Sequence, residues 1–226
     1  MNKASRLLQR QREVERRFVE EELRVGREHT GWSPALLMFH LAQWRERLTV
    51  GLTDFRAGRE YAPPPANIDE FNDSELPKGA GAKLEEQARR ADTLMAEMIE
   101  LSEAIGDRPF KWNITSTSAE AILRNSYLHP RVHLTAYYRE NGEGERTRDM
   151  LEQTVADLRA ESGPPIVLGA ALVNLAAIRA ASRRDEALSL LGEGLSMRPD
   201  LKAAVAREED FAPLQGDPRF QELISS

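Results

Sequence analysis

"GWSPALLMFHLAQWRERL", residues 31–48, carries the periodicity from which the fold is read. Leu37, Leu41, Trp44 and Leu48 recur at spacings of four, three and four, which puts them on one inward stripe of an α-helix. Ser33 offers an N-cap and Pro34 a preset first turn, so this helix starts there and runs to about Ala57. His40 comes three residues after Leu37 and four before Trp44, so its imidazole shares the inward stripe.

The same period extends on both sides of this helix. A first helix is expected from about Lys3 to Val25, with Leu7, Val14, Phe18 and Val25 at helical spacing. The alternating arginines and glutamates of "KASRLLQRQREVERR" then belong mostly to its wet face, and a turn through "GREHTGW" leads on to Ser33. A third helix, from about Ala82 to Ile105, is lined by Leu84, Ala88, Ala91, Met95 and Met98, the methionines serving as core filler. "GDRPFKWNITSTSAE" ends it, and its serines and threonines offer caps for a fourth helix reaching about Glu140. Between helices two and three, "GREYAPPPANIDEFNDSELPKGAGA" reads as a long irregular connection, because its prolines, glycines and turn-forming residues interrupt a helix. Strand-like alternation is nearly absent. The expected fold is all-α, with a four-helix bundle over residues 1–144.

From residue 145 the sequence becomes rich in alanine and leucine. Ala187, Leu191, Gly194 and Pro199 follow the small, large, small, proline pattern of the second helix of a tetratricopeptide repeat, with "ALVNLAAIRA" as its first helix. "EEDFAPLQGDPRFQELI" resembles the closing helix after such repeats. Residues 145–226 are thus expected to form a tetratricopeptide-like helical tail. A single repeat does not bury its own apolar face, so this tail is expected to pack on the bundle or on another subunit. Either route is compatible with a homodimer.

Composition narrows the chemistry. A chain of 226 residues, 41% hydrophobic, buries one good core with a smaller appended unit. The absence of cysteine excludes disulfides and thiolate-bound metals, which leaves histidine and carboxylate as ligands. A net charge of -6 argues against a dedicated nucleic-acid binder. With neither a signal core nor an apolar run of about 18 residues, no membrane association is expected, and the chain reads as cytoplasmic.

Only four histidines are present, and two of them, His129 and His133, lie one turn apart in "NSYLHPRVHLTAYY", residues 125–138. Ile122, Ser126, His129, His133 and Ala136 trace an inward stripe on the fourth helix. Residues at i and i+4 have Cβ atoms about 5–6 Å apart, within the span two ligands of one ion can bridge. An inward imidazole is ordinarily a core residue whose nitrogens find hydrogen-bond partners. Three together admit a second reading, in which His40, His129 and His133 share a cation and leave a fourth position open. Pro130 cannot donate to the carbonyl of Ser126, so the helix is expected to kink there or to restart near His129.

These residues resemble the DinB-like four-helix bundles, in which a tryptophan, a helix start and a His-Leu-x-x-Trp stretch precede a later His-x-x-x-His pair. "IDEFNDSEL" is similar to the Phe-Asn stretch of the DfsB-type branch, and the resemblance covers roughly residues 3–142. It implies that His40, His129 and His133 bind a divalent metal, zinc or nickel, and that the chain is a hydrolase or a thiol-dependent transferase or isomerase acting on a small molecule. "HPRVH" departs from the commoner His-Glu-x-x-His form. The alternative expectation is a non-enzymatic scaffold that binds a protein partner through residues 145–226. No catalytic group is singled out. Asn125, Ser126 and Tyr137 near the fourth helix and Asp69, Glu70, Asn72 and Asp73 in the long connection are polar candidates, while His29 is expected to be exposed and Trp44 to be core.

Overall fold

The computed structural model describes residues 1–26 and 28–225; Arg27, in the expected turn "GREHTGW", lies outside the described residues. The chain is mostly helical and divides into two compact units, residues 1–143 and 144–226.

In the first unit, α1 (Lys3–Val25), α2 (Pro34–Arg56) and α4 (Leu84–Ile105) are long helices, and α4 packs along both α1 and α2. The fourth rod is composite. It runs from α5 (Ser118–Leu123) through a π-helical turn (Arg124–Leu128) into α6 (His129–Glu140), with α5 and the π turn packed against α1 and α2. Leu7, Phe18, Leu37, Leu41, Leu48, Met95, Met98, Ile122 and Leu134 are buried between the four rods, as their helical spacing requires. Ser33 caps α2 by accepting the Leu36 N–H at 3.1 Å. Thr117 and Glu120 form a capping box at the start of α5.

Three expectations need correction. First, Val25 is exposed at the end of α1, and the inward stripe between Leu7 and Phe18 is completed instead by Gln11 and Glu15, with Glu22 one turn further on. Second, the long connection contains a helix, α3 (Ile68–Glu75), followed by a 3-10 turn (Leu76–Gly79). Asn67 starts α3 by accepting the Glu70 N–H at 3.1 Å, and Asp69 and Glu70 in its first turn complement the helix dipole. Phe71 anchors it by packing edge-on to Trp44, and Gly79 leaves room for the Phe39 ring.

Third, a hairpin of β1 (Pro109–Trp112) and β2 (Thr115–Thr117) precedes α5. Phe110 and Trp112 alternate inward with the period of a strand, and Asn113 turns the chain at φ 53. The Trp112 ring lies where a side chain on Gly51 of α2 would stand, so the glycine is what seats the hairpin.

The second unit contains α7 (Gly144–Ala160), α8 (Pro165–Arg179), α9 (Arg184–Met197), α10 (Lys202–Val205) and α11 (Pro218–Ser225). Glycines let α8 and α9 touch: a Cβ on Gly194 would stand 2.9 Å from the Gly169 carbonyl oxygen. The apolar face of this helix pair is covered within the unit itself by Val205, Phe211, Leu214 and Phe220, which cluster with Ala176, Ala187 and Leu191. Among the described residues no helix is long and apolar enough to cross a membrane.

Candidate metal centre

His40 is placed on the inner face of α2 by the stripe that buries Leu37 and Leu41. His129 and His133 occupy successive turns at the start of α6. The three side chains converge. His129 Nε2 lies 3.1 Å from His40 Nε2 and 3.0 Å from His133 Nε2. Among the described residues they form a cluster whose ligand atoms all lie within 4.8 Å of one another, and a cluster of this kind could hold a divalent metal ion.

The π turn explains how Pro130 is accommodated. In an uninterrupted α-helix residue 130 would donate to the carbonyl of Ser126, and proline has no N–H. The chain widens instead of restarting: the His129 N–H donates to the Arg124 carbonyl, five residues back, while His129 keeps helical dihedrals of φ -56 and ψ -46. One extra residue in a turn rotates everything after it, so this turn sets the direction in which His129 and His133 leave the helix.

Burial keeps the imidazoles neutral. His40 is pushed down to about 3, mainly by burial and then by the nearby His133. Burial lowers His133 to about 4. His129 titrates well below the ordinary imidazole range, for burial first and then for the positive charge that His133, His40, Arg45 and Arg124 would place beside it. Near neutral pH all three rings keep a free lone pair.

The hydrogen-bond pattern of the cluster is incomplete by its own chemistry. A neutral imidazole Nε2 carries one proton or one lone pair, so His129 Nε2 cannot make a full bond to both neighbours at once. His40 Nδ1 is also buried without a hydrogen-bond partner. Ring packing holds this histidine instead. Trp32 stands edge-on to it at 5.0 Å between ring centroids, and Trp44 does so at 6.4 Å. Trp32 in addition stacks on His133, at 5.2 Å and 14°.

The remaining sequence candidates fall into place around this cluster. Trp44 is buried, and its Nε1 donates to Asn72 Oδ1 of α3 at 3.1 Å. Asn125 donates to the Trp44 carbonyl at 3.1 Å and accepts from Ser126 Oγ at 2.8 Å, so this pair ties the π turn to α2. Tyr137 is buried against Phe18. Asp69, Glu70 and Asp73 are exposed on α3, and His29 is exposed as expected.

Sequence reasoning used Trp32 and Phe71 only as carriers of the resemblance and gave Asn141 no role. It also missed a second buried polar group beside the triad. Arg45 bonds both carboxylate oxygens of Glu15, one at 2.8 Å, and the Ala91 carbonyl at 3.3 Å. Gln11 donates to Glu15 at 2.9 Å and accepts from Arg131 at 2.9 Å. The signal was the position of Gln11 and Glu15 on the Leu7–Phe18 stripe. Comparison of the chain with family models, with curated proteins and with solved structures returned no match in any of the three.

Proposed function

We propose that His40, His129 and His133 together hold one divalent ion, zinc or nickel, and that the chain is a metal-dependent enzyme acting on a small molecule. The observation that carries this reading is the convergence of three neutral Nε2 atoms with spacings of 3.0 and 3.1 Å. Two nitrogens bound tetrahedrally at about 2.0–2.1 Å from zinc stand about 3.3 Å apart, so the rings need to open by only a few tenths of an ångström. The donor set favours the same ions. Imidazoles without a carboxylate suit zinc or nickel and are a poor match for magnesium or calcium.

When bound, such an ion supplies Lewis acidity and an open coordination position. The chain's own residues do the rest. His40, His129 and His133 would hold the ion through their Nε2 atoms. Trp32 and Trp44 shield two sides of the cluster from bulk water, which strengthens any electrostatic interaction made there. By resemblance to the DinB-like bundles, the reaction class is hydrolysis or thiol-dependent transfer or isomerisation.

Elemental analysis coupled to turnover tests this reading. Protein purified without added metal is expected to carry about one ion per chain, as a single three-histidine site requires. Removal of the ion by chelation is expected to abolish turnover in a panel of esters, amides and thiol adducts, and its return to restore it. Equal turnover by stripped and reloaded protein, or none by either, removes the metal-dependent enzyme reading.

A further inference from the structure

Trp32 is the wall of the triad that comes from non-helical chain, the stretch 28–33. On its downstream side it is fixed by Ser33, the N-cap of α2. On its upstream side the anchor is Asn141, at the far end of the helix that carries His133. Asn141 Oδ1 accepts the Thr30 N–H at 2.9 Å, while its Nδ2 donates to the Tyr137 carbonyl at 2.8 Å and approaches the Thr30 carbonyl at 3.5 Å. One amide thus joins the last turn of α6 to the segment that delivers the indole. Gly31, between Thr30 and Trp32, has φ 75, and the Glu140 carboxylate occupies the space a side chain there would need. The segment is anchored at Thr30 and at Ser33, on either side of an indole that lies flat on His133.

Energetics distinguish a local role from a global one. Thr30 is exposed and Asn141 is half-buried, so these hydrogen bonds add only about 0.5–1.5 kcal/mol each to folding. Their leverage is on geometry. His40 and His133 are oriented by the Trp32 ring, and His40 Nδ1 has no hydrogen bond to do that work. Groups that orient metal-binding histidines typically change metal affinity about 10–100-fold when removed.

We propose that Asn141 is a positioning residue of the metal centre, setting through Thr30 the stacked seat of Trp32 against His133. The inference rests on the metal reading above, and it adds a residue remote from the triad that tunes it.

The probe is nickel alone, with affinity from calorimetry and Trp32 emission from the difference between each protein and its Trp32→Phe counterpart. Nickel is expected to quench Trp32 strongly in the parent. Asn141→Ala is expected to bind nickel about tenfold more weakly and to lose most of that quenching. Asn141→Asp keeps the oxygen that accepts from Thr30 but places a negative charge at a helix C-terminus, which costs stability. It is therefore expected to melt earlier than the parent yet to keep the Trp32 quenching. Ser118→Ala, which removes a hydroxyl bonded to the Gly106 carbonyl, serves as a destabilised control with an unchanged metal response.

Parent-like affinity and quenching in Asn141→Ala overturn the proposal. So does a quenching loss that follows stability across all three variants. If the parent binds no nickel, the metal reading fails. Acrylamide access to Trp32 in metal-free protein then still decides the clamp, with greater access in Asn141→Ala supporting it and equal access overturning it.

Discussion

Gln11, Glu15, Arg45 and Arg131 fill one part of the bundle interior, and His40, His129 and His133 fill another. The first group is paired mostly within itself, with Arg45 Nε left buried without a partner. A guanidinium meets both oxygens of one carboxylate, and Gln11 donates to that carboxylate while accepting from a second guanidinium. Arg131 also lies over the Tyr127 ring at 4.4 Å. The second group sets three imidazoles around one point, where His129 Nε2 cannot bond fully to both of its neighbours at once. A buried polar group satisfied by its neighbours needs no further explanation. Three neutral imidazoles around one point could hold a divalent cation.

The largest expected difference between the two groups lies in stability. Removing one member of a buried ion pair strands the other charge, so Arg45→Met is expected to cost about 3–5 kcal/mol by urea unfolding. A joint Glu15→Met and Arg45→Met change is expected to recover much of that loss, since neither charge remains. If Arg45→Met costs under about 1 kcal/mol, comparable to an exposed pair, the buried pairing of Arg45 with Glu15 is not a structural element of the bundle.

Smaller, and of distinctive shape, is the response of the triad to acid. An unfolded histidine takes its proton near 6.5, whereas in the fold His133 waits until about 4 and His40 until about 3. Between those values the unfolded chain binds more protons, so stability falls as pH falls. Metal-free protein is expected to be most stable above about pH 6.5 and to lose up to about 1.4 kcal/mol per pH unit for each histidine as pH drops towards 4. His133→Gln removes one titrating group and is expected to flatten that slope while staying within about 1 kcal/mol of the parent at pH 8. Identical slopes in the two proteins mean that His133 is not held neutral by burial.

The same contrast shows what a sequence reveals. The inward direction of His40, His129 and His133 was legible, because Leu37, Trp44, Ile122 and Ser126 define their stripes by spacing alone. Their meeting across two helices was expected from the shared-cation reading and from the resemblance to the DinB-like bundles, and spacing alone does not require it. Spacing places a residue on a face and says nothing of the rotation between helices, and the π turn that sets this rotation depends on how the carbonyls around Pro130 find donors.

Gln11 and Glu15 sit on the Leu7–Phe18 stripe, yet in a segment crowded with arginine and glutamate two inward polar residues look like wet-face charge. The α3 helix was masked by the prolines and glycines on either side of it. Its eight residues bury none of their own number fully and rely on Phe71, Asn72 and Glu75 gripping α2. The β hairpin is too short for its alternation, Phe110 and Trp112, to stand out before its packing on Gly51 is seen.

Anomalous diffraction at the metal edge, from crystals of protein purified without added metal, tests the central claim most directly. One peak about 2.0–2.1 Å from the Nε2 atoms of His40, His129 and His133 is the predicted result, with no peak in His129→Ala crystals. Three rings without a shared peak, or a peak beside other side chains, would contradict it.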